Sequence, residues 1–475
     1  MPAPQEFIKY IDDKADAFIQ RLSDAVAIPS VSSDASRRQD VIKMANWLSE
    51  QLQAVGVTTQ LTDLGKQQIE GQELPLPPVI LGKIGNDKNK KTILVYGHFD
   101  VQPAFKSDGW DTDPFTLVND KATGRLIGRG ASDDKGPVLG WVNVLQWHHE
   151  NKKELPVNLR CCFEGMEESG SEGLDDLVAR ESKPGGWFDG VDAVCISDNY
   201  WLNTRTPALT YGLRGLSYYR VTVSGPARDL HSGVFGRTVY EPMTDLIYIM
   251  SKLVDNRGHI LIPGVEDQVG IADEEEKKIY QALDYSIQDV EESAGAPIAL
   301  SSDKVEVLMG RMRNPSLSLH GIEGAFSGVG AKTVIPAKVS GKFSIRLVPP
   351  QTPESVDPFV ISYIEELFKG LHSKSKLEVE SLHGGKPWVA DHNHWNYEAA
   401  KRATWSTYNR LPDLTREGGS IPVTLTFADC LGVNVVLLPM GRGDDGAHST
   451  NEKIDRFNFI EGTKLLGSYL YEVAV

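Results

Sequence analysis

The segment CFEGMEESGSEGL, residues 162–174, sets Glu167 and Glu168 side by side among glycines, directly after an apolar run. Residues of the same chemical kind follow other apolar runs. His98 and Asp100 come after TILVYG, Asp198 after DAVCIS, and His448 stands in GDDGAHSTNE shortly after NVVLLPM. Asp133 and Asp134 lie in GRGASDDKG, at the start of a helical pattern. Two imidazoles and several carboxylates, with no thiolate among them, suit a pair of borderline or hard divalent ions such as Zn²⁺ or Mn²⁺ rather than a structural zinc. The most economical pair shares one bridging carboxylate. Each ion then takes one His and one terminal carboxylate and keeps an open position for water. Singly, these residues read as a solvated acidic turn, a strand-end histidine or a helix N-terminal pair; their common placement is what makes them a site.

The runs that precede them are the elements that must position them. TILVYG (92–97), LRCCFEG (159–165), DAVCIS (192–197) and NVVLLPM (434–440) are continuously apolar and alternate with helical patterns. That predicts strands of an α/β sheet covered on both faces, and ligands of open α/β sheets bind beyond the carboxyl ends of the strands. Helices are predicted over 134–153 and over RRQDVIKMANWLSEQLQAVG, where Val41, Met44, Trp47, Leu48, Leu52 and Val55 form one stripe. His148 and His149 fall near a helix C-terminus, where a cation-capable side chain is favourable. Cys161 and Cys162 alternate across a buried strand as small apolar groups.

From about Leu213 the pattern changes. LSYYRVTVSGPARD and KVSGKFSIRLVPP alternate as strands do, while EPMTDLIYIMSKLV and TPESVDPFVISYIEELFKGL keep helical periodicity, and α/β character returns after Pro387. The expected architecture is a three-layer α/β catalytic domain with a mixed, mostly parallel sheet, interrupted by an α+β sandwich. Residues 1–212 and 388–475 form the two parts of the first domain, and 213–387 form the insertion.

The 475 residues exceed what one core usually organises. With 49 Lys+Arg against 65 Asp+Glu, the net charge of −16 disfavours nucleic acid and anionic membranes as partners and favours small molecules. The N-terminal stretch is interrupted by charge every few residues, so neither a signal peptide nor a membrane span is expected there. Four cysteines without paired spacing, and no usable glycosylation sequon, point to a reducing, cytoplasmic compartment.

The ordered set HFD (98–100), GRGASDDKG, EGMEESGSEG, SDNYW and GAHSTNE resembles the cocatalytic-zinc metallopeptidase family, which includes carboxypeptidase-, aminoacylase- and dipeptidase-type enzymes. The likeness covers nearly the whole chain and is strongest to the cytosolic dipeptidase branch. It implies a hydrolase of Cys-Gly and other L-dipeptides with a free C-terminal carboxylate, a role in glutathione degradation, and two Zn²⁺ or Mn²⁺ ions per subunit. By the same resemblance His98, Asp133 and Asp198 hold one ion, and Asp133, Glu168 and His448 the other. Asp100 orients His98, a role its strand spacing allows. Glu167 serves as general base and acid on a metal-bridging water. The insertion is implied to be a lid and homodimerisation domain whose His231 reaches the partner's active site. Thr333, Arg346, His383 and Ser420 are implied to line the substrate pocket with Glu167, Asp198 and His448. An N-acyl-amino-acid deacylase on the same centre, or an inactive scaffold of this fold, are the alternatives; Asp198 and its dipeptidase-like flanks weigh against the first, and the filled ligand positions against the second.

Overall fold

The computed structural model describes residues 2–69, 71–419 and 421–475. The chain forms two compact units: Met1–Tyr211 with Ala390–Thr415 and Val423–Val475, and Gly212–Val389 with Arg416–Pro422.

The first unit is built on a mixed sheet flanked by helices. Its strands run in the order Thr58–Thr62, Val79–Ile84, Asn158–Glu164, Thr92–His98, Ala193–Ile196, Asn434–Leu437 and Ala208–Leu213. The four strands from Asn158–Glu164 to Asn434–Leu437 are mutually parallel, and antiparallel strands flank them on either side. All seven residues of Thr92–His98 are buried, as expected of a parallel strand with helices over both faces. The helix Arg456–Val473 packs against both Lys135–Glu150 and Trp395–Tyr408. They share a core with the strands through Ile93, Val95, Trp141, Val144, Phe163, Tyr397, Phe459 and Leu466. Gly97 is required by this packing: a Cβ there would come within 2.6 Å of both Asp134 Oδ2 and Val138 Cγ2. Among the described residues no helix is long and apolar enough to cross a membrane.

The second unit is an α+β layer. Its antiparallel sheet runs Ser316–Glu323, Lys338–Leu347, Gly215–Ser224 and Lys376–Gly385. Alternation buries Tyr219, Val221, Val223, Phe343, Ile345 and Leu347 on one face, against Leu246 and Ile249 of the helix Pro242–Met250 and Val356, Val360 and Ile364 of Pro353–Gly370. The second helix starts cleanly because Thr352 and Ser355 form a reciprocal capping box before Pro353. The opposite face carries polar and half-buried side chains.

One expectation is corrected here. His148 is not a cationic helix cap: it is 4% exposed, and its Nδ1–H donates to the carbonyl of Lys153 at 3.1 Å. Its Nε2 is buried without a partner. Burial therefore outweighs the helix terminus and lowers its pKa to about 4. An unfolded histidine titrates near about 6.5, so the unfolded chain takes up the proton first. The stability this neutral ring contributes is complete above that value and is lost as pH falls towards about 4. We expect thermal unfolding followed from pH 7 to 4.5 to show a shallower acid loss in His148→Gln, by on the order of 2–3 kcal/mol; parallel curves would refute the assignment.

Candidate metal centre and catalytic site

Four parallel strands ending on one edge bring the candidate residues together. His98 closes the strand Thr92–His98 and is fully buried. The chain beyond it is pinned by Phe99 N–H to the Glu164 carbonyl at 2.9 Å, by Ser30 Oγ to the Phe99 carbonyl at 2.6 Å and by Val101 N–H to the Ser30 carbonyl at 3.0 Å. His98 Nδ1 lies 3.1 Å from the Asp100 carbonyl and 3.4 Å from its Oδ1. That fixes Nε2 on the other side, 3.1 Å from Asp133 Oδ1 and 3.6 Å from Asp198 Oδ2. The second oxygen of Asp133 faces the other imidazole: His448 Nε2 is 3.1 Å from Asp133 Oδ2 and 3.1 Å from Glu168 Oε2.

Asp100 has a second task beyond orienting His98. Its two oxygens accept the backbone N–H groups of Glu167 and Glu168 at 3.2 and 3.1 Å, at the start of the 3₁₀ turn Glu167–Ser169. One residue thus holds an imidazole, through its main-chain carbonyl, and the turn that carries both glutamates, through its buried carboxylate. Glu168 also accepts from Gln102 Nε2 at 2.8 Å. Among the described residues, no group donates a hydrogen bond to the Glu167 carboxylate.

Two further carboxylates matter more than the sequence suggested. Glu452, the last residue of GAHSTNE, is fully buried. It accepts the N–H groups of Ser132, Asp133 and Gly130 at 3.0, 3.0 and 2.9 Å and pairs with Arg129 at 2.8 Å. It therefore holds the loop that presents Asp133. Asp134 accepts the His98 N–H through Oδ2 at 3.1 Å while its Oδ1 is buried without a partner. It also offers an oxygen to a cluster with His98 and Asp198, beside a second cluster of Asp133, Glu168 and His448. The acidic group Asp444, Asp445 and Asp455 is paired with Lys453 Nζ at 2.9, 2.7 and 2.5 Å, and Arg442 also pairs with Asp444 and Asp455 at 3.0 and 3.3 Å.

In the second unit, His231 pairs with Val334, next to Thr333, in a two-residue ladder, and its Nδ1 accepts from Gly233 N–H at 3.0 Å. Arg346 and His383 lie on the strands either side of Gly215–Ser224. The His383 ring stacks on Tyr218 at 5.1 Å, and Tyr218 stacks in turn on His320 at 5.4 Å. Ser420 lies outside the described residues.

Residues 94–472 match the model of peptidase family M20/M25/M40. The Cys-Gly metallodipeptidase dug1 of Schizosaccharomyces pombe is 54% identical over 98% of this chain and 97% of its own length. The human Beta-Ala-His dipeptidase is 44% identical over 99% of this chain and 92% of its own length. A solved structure of the dipeptidase Dug1p from Saccharomyces cerevisiae superposes with a TM-score of 0.92 at 51% identity, covering 98% of each chain. The chain belongs to peptidase family M20/M25/M40. It is a peptide hydrolase.

The electrostatics of this peptidase's site fit the divalent cation that the family implies. Burial would raise Asp133, but hydrogen bonds from His448 and His98 outweigh it and hold the carboxyl well below its ordinary value. Those bonds to Asp133 and Glu168 push His448 up to about 10. Burial raises Asp198 and Glu168, and raises Glu167 strongly, with Asp198, Glu168 and Asp100 adding repulsion. The pocket therefore concentrates more negative charge than its imidazoles balance, offers only N and O donors, and leaves Asp134 Oδ1 unsatisfied.

Glu452 shows how this charge is anchored. Burial and the neighbouring Asp133 raise it to about 7, yet four N–H donors can be met only by the ionised carboxylate. Replacing it by Gln turns an NH₂ group against two of those donors and breaks the pair with Arg129. We expect Glu452→Gln to cost about 3 kcal/mol in denaturant unfolding and to weaken metal binding roughly 10- to 100-fold in a chelator competition. Unchanged metal affinity would show that the loop holds Asp133 without it.

Proposed function

We propose that this protein is a dinuclear metallodipeptidase that cleaves dipeptides bearing a free C-terminal carboxylate, with Cys-Gly foremost. His98, Asp133 and Asp198 would hold one ion and Asp133, Glu168 and His448 the other, Zn²⁺ or Mn²⁺, which when bound would supply Lewis-acid polarisation of the scissile carbonyl and acidify water.

The observation that carries this reading is the unequal fate of the two adjacent glutamates. Glu168 is engaged by His448 at 3.1 Å and by Gln102 at 2.8 Å. Glu167 is presented by the same turn with its carboxylate undonated. It is the group available to take a proton from the attacking water and return it to the leaving nitrogen. Burial and neighbouring carboxylates raise its pKa, the direction required of a base that must hold that proton between two steps. Asp100 keeps the turn and His98 in register with each other.

Substrate recognition falls to the second unit, acting as a lid. Because His231 Nδ1 accepts the Gly233 N–H, its proton resides on Nε2, which makes that nitrogen a donor suited to a developing oxyanion. Arg346, with Thr333, His383 and Ser420, would take the substrate carboxylate; a guanidinium binds carboxylates bidentately. Anchoring that group near the scissile bond restricts the enzyme to short peptides. Val234, Phe235, Val239 and Tyr240, just after His231, and Ile247 and Tyr248 on the next helix are exposed. Such an apolar face suits burial against a second copy, and we place His231 in trans across that homodimer. A cytoplasmic setting agrees with Cys161, Cys162, Cys195 and Cys430 all being free thiols.

The two glutamates should fail differently. Glu167→Gln should lower kcat by on the order of 10²- to 10⁴-fold with metal content retained, whereas Glu168→Gln should lose bound metal by elemental analysis. Equal metal loss in both would overturn the division. Cys-Gly and β-alanyl-histidine should be turned over in preference to N-acetylamino acids; the reverse order would make the enzyme a deacylase. Co-expression of Glu167→Gln and His231→Ala chains, each inactive alone, should restore about a quarter of wild-type activity through mixed dimers. No recovery would place His231 in cis.

A further inference from the structure

The strand that precedes the two glutamates ends in a third, Glu164, which the reaction does not use. It is 1% exposed and pairs with His98 in the parallel register of the two central strands. Its Oε1 accepts two hydroxyls, Tyr96 OH at 2.6 Å and Ser171 Oγ at 2.8 Å. Its Oε2 has no partner. A buried carboxylate is costly, and two neutral hydroxyls on one oxygen are a poor return if stability were its only purpose.

What those hydroxyls connect is informative. Tyr96 is fixed in the sheet two residues before His98, its ring edge-on to Phe427 at 5.6 Å. Ser171 lies at the far end of the segment carrying Glu167 and Glu168. It sits in the left-handed region at φ 51°, with its N–H bonded to the Met166 carbonyl at 2.7 Å. A non-glycine residue at positive φ is sustained by its surroundings, and here the Oγ contact to Glu164 is the side-chain restraint. At the near end, Gly165 is packed so closely that a Cβ would come within 2.5 Å of the Phe99 ring. The segment 165–171 is therefore clamped at both ends, with Asp100 holding its middle.

We infer that Glu164, through its hydrogen bonds to Tyr96 and Ser171, is a positioning residue for the general base: it closes the loop that aims Glu167 at the scissile bond. This rests on the reading of Glu167 as that base. The role needs two acceptances on one oxygen rather than a negative charge, so the amide of Gln satisfies it.

Tyr96→Phe and Ser171→Ala each remove one hydroxyl. Each should lower kcat by roughly 10- to 100-fold, the cost of a small misplacement of a reacting group, with KM for Cys-Gly and metal content unchanged. The double variant should be little worse than either alone, because both act through the same oxygen. Glu164→Leu should match it, and Glu164→Gln should restore most of the turnover. Wild-type kcat in Tyr96→Phe and Ser171→Ala, a loss of metal parallel to the loss of activity, or a Gln variant as inactive as the Leu variant would each overturn the inference. Glu167→Gln, assayed alongside, separates the two readings. If it is inactive while the hydroxyl variants are normal, only Glu164's role fails; if it is fully active, the base assignment fails and takes this inference with it.

Discussion

Asp133 presents each of its oxygens to a different imidazole, and this arrangement sets the terms for the rest of the first unit. A carboxylate can bridge two histidines only if its backbone is held from behind, and Glu452 does that by accepting the Ser132 and Asp133 N–H groups at 3.0 Å each. Glu452 in turn needs Arg129 to be tolerable in a buried position. The chain of dependence runs from a loop near residue 130 to one near residue 450, which meet because the short strands Arg125–Ile127 and Lys453–Asp455 pair antiparallel. Charge is thus concentrated where the fold can hold it without collapse of the carboxylates away from one another.

The central parallel strands explain why this concentration lies at one edge. Parallel strands all finish on the same side, so His98, Glu164 with the turn after it, Asp198 and the segment leading to His448 emerge together from four separate stretches of chain. The flanking antiparallel strands widen the sheet without adding to that edge. Rigidity then comes from hydrogen bonds onto side-chain carboxylates, Asp100 and Glu452 above all, because strand ends and turns leave backbone N–H groups that no ladder satisfies. The site is therefore stiffened by the same kind of group that lines it.

Much of this was legible in the chain. Buried parallel strands are continuous apolar runs, which is why TILVYG and DAVCIS announced themselves, and the residues just beyond each run were the ones the fold gathers. That Glu168 would be engaged by His448 and Glu167 left aside had no local sign; only the family resemblance separated the two neighbours. Other features had none. Glu452 acts on residues 320 positions away in sequence, and no periodicity marks such a contact. Asp134 and Asp133 are neighbours of one chemical type, and only the direction of each side chain separates an oxygen held by a backbone N–H from one facing two imidazoles. His148 misled because helix position is a local cue, whereas its neutrality is set by burial against Trp147 and Tyr471. The segment Arg416–Pro422 belongs to the second unit although the chain around it belongs to the first, a return that composition does not signal.

The capture of two successive N–H groups by the two oxygens of Asp100 leaves the Glu167–Ser169 turn no freedom of length. Side chains on it can be exchanged one at a time, but a single inserted or deleted residue would shift both glutamates by one place in the turn, offering a new residue to His448 and leaving neither glutamate at its post. Loops at the mouths of enzymes are ordinarily where lengths drift most readily. This one is a ruler, and variation in this enzyme's specificity has to be sought in segments that are free to grow.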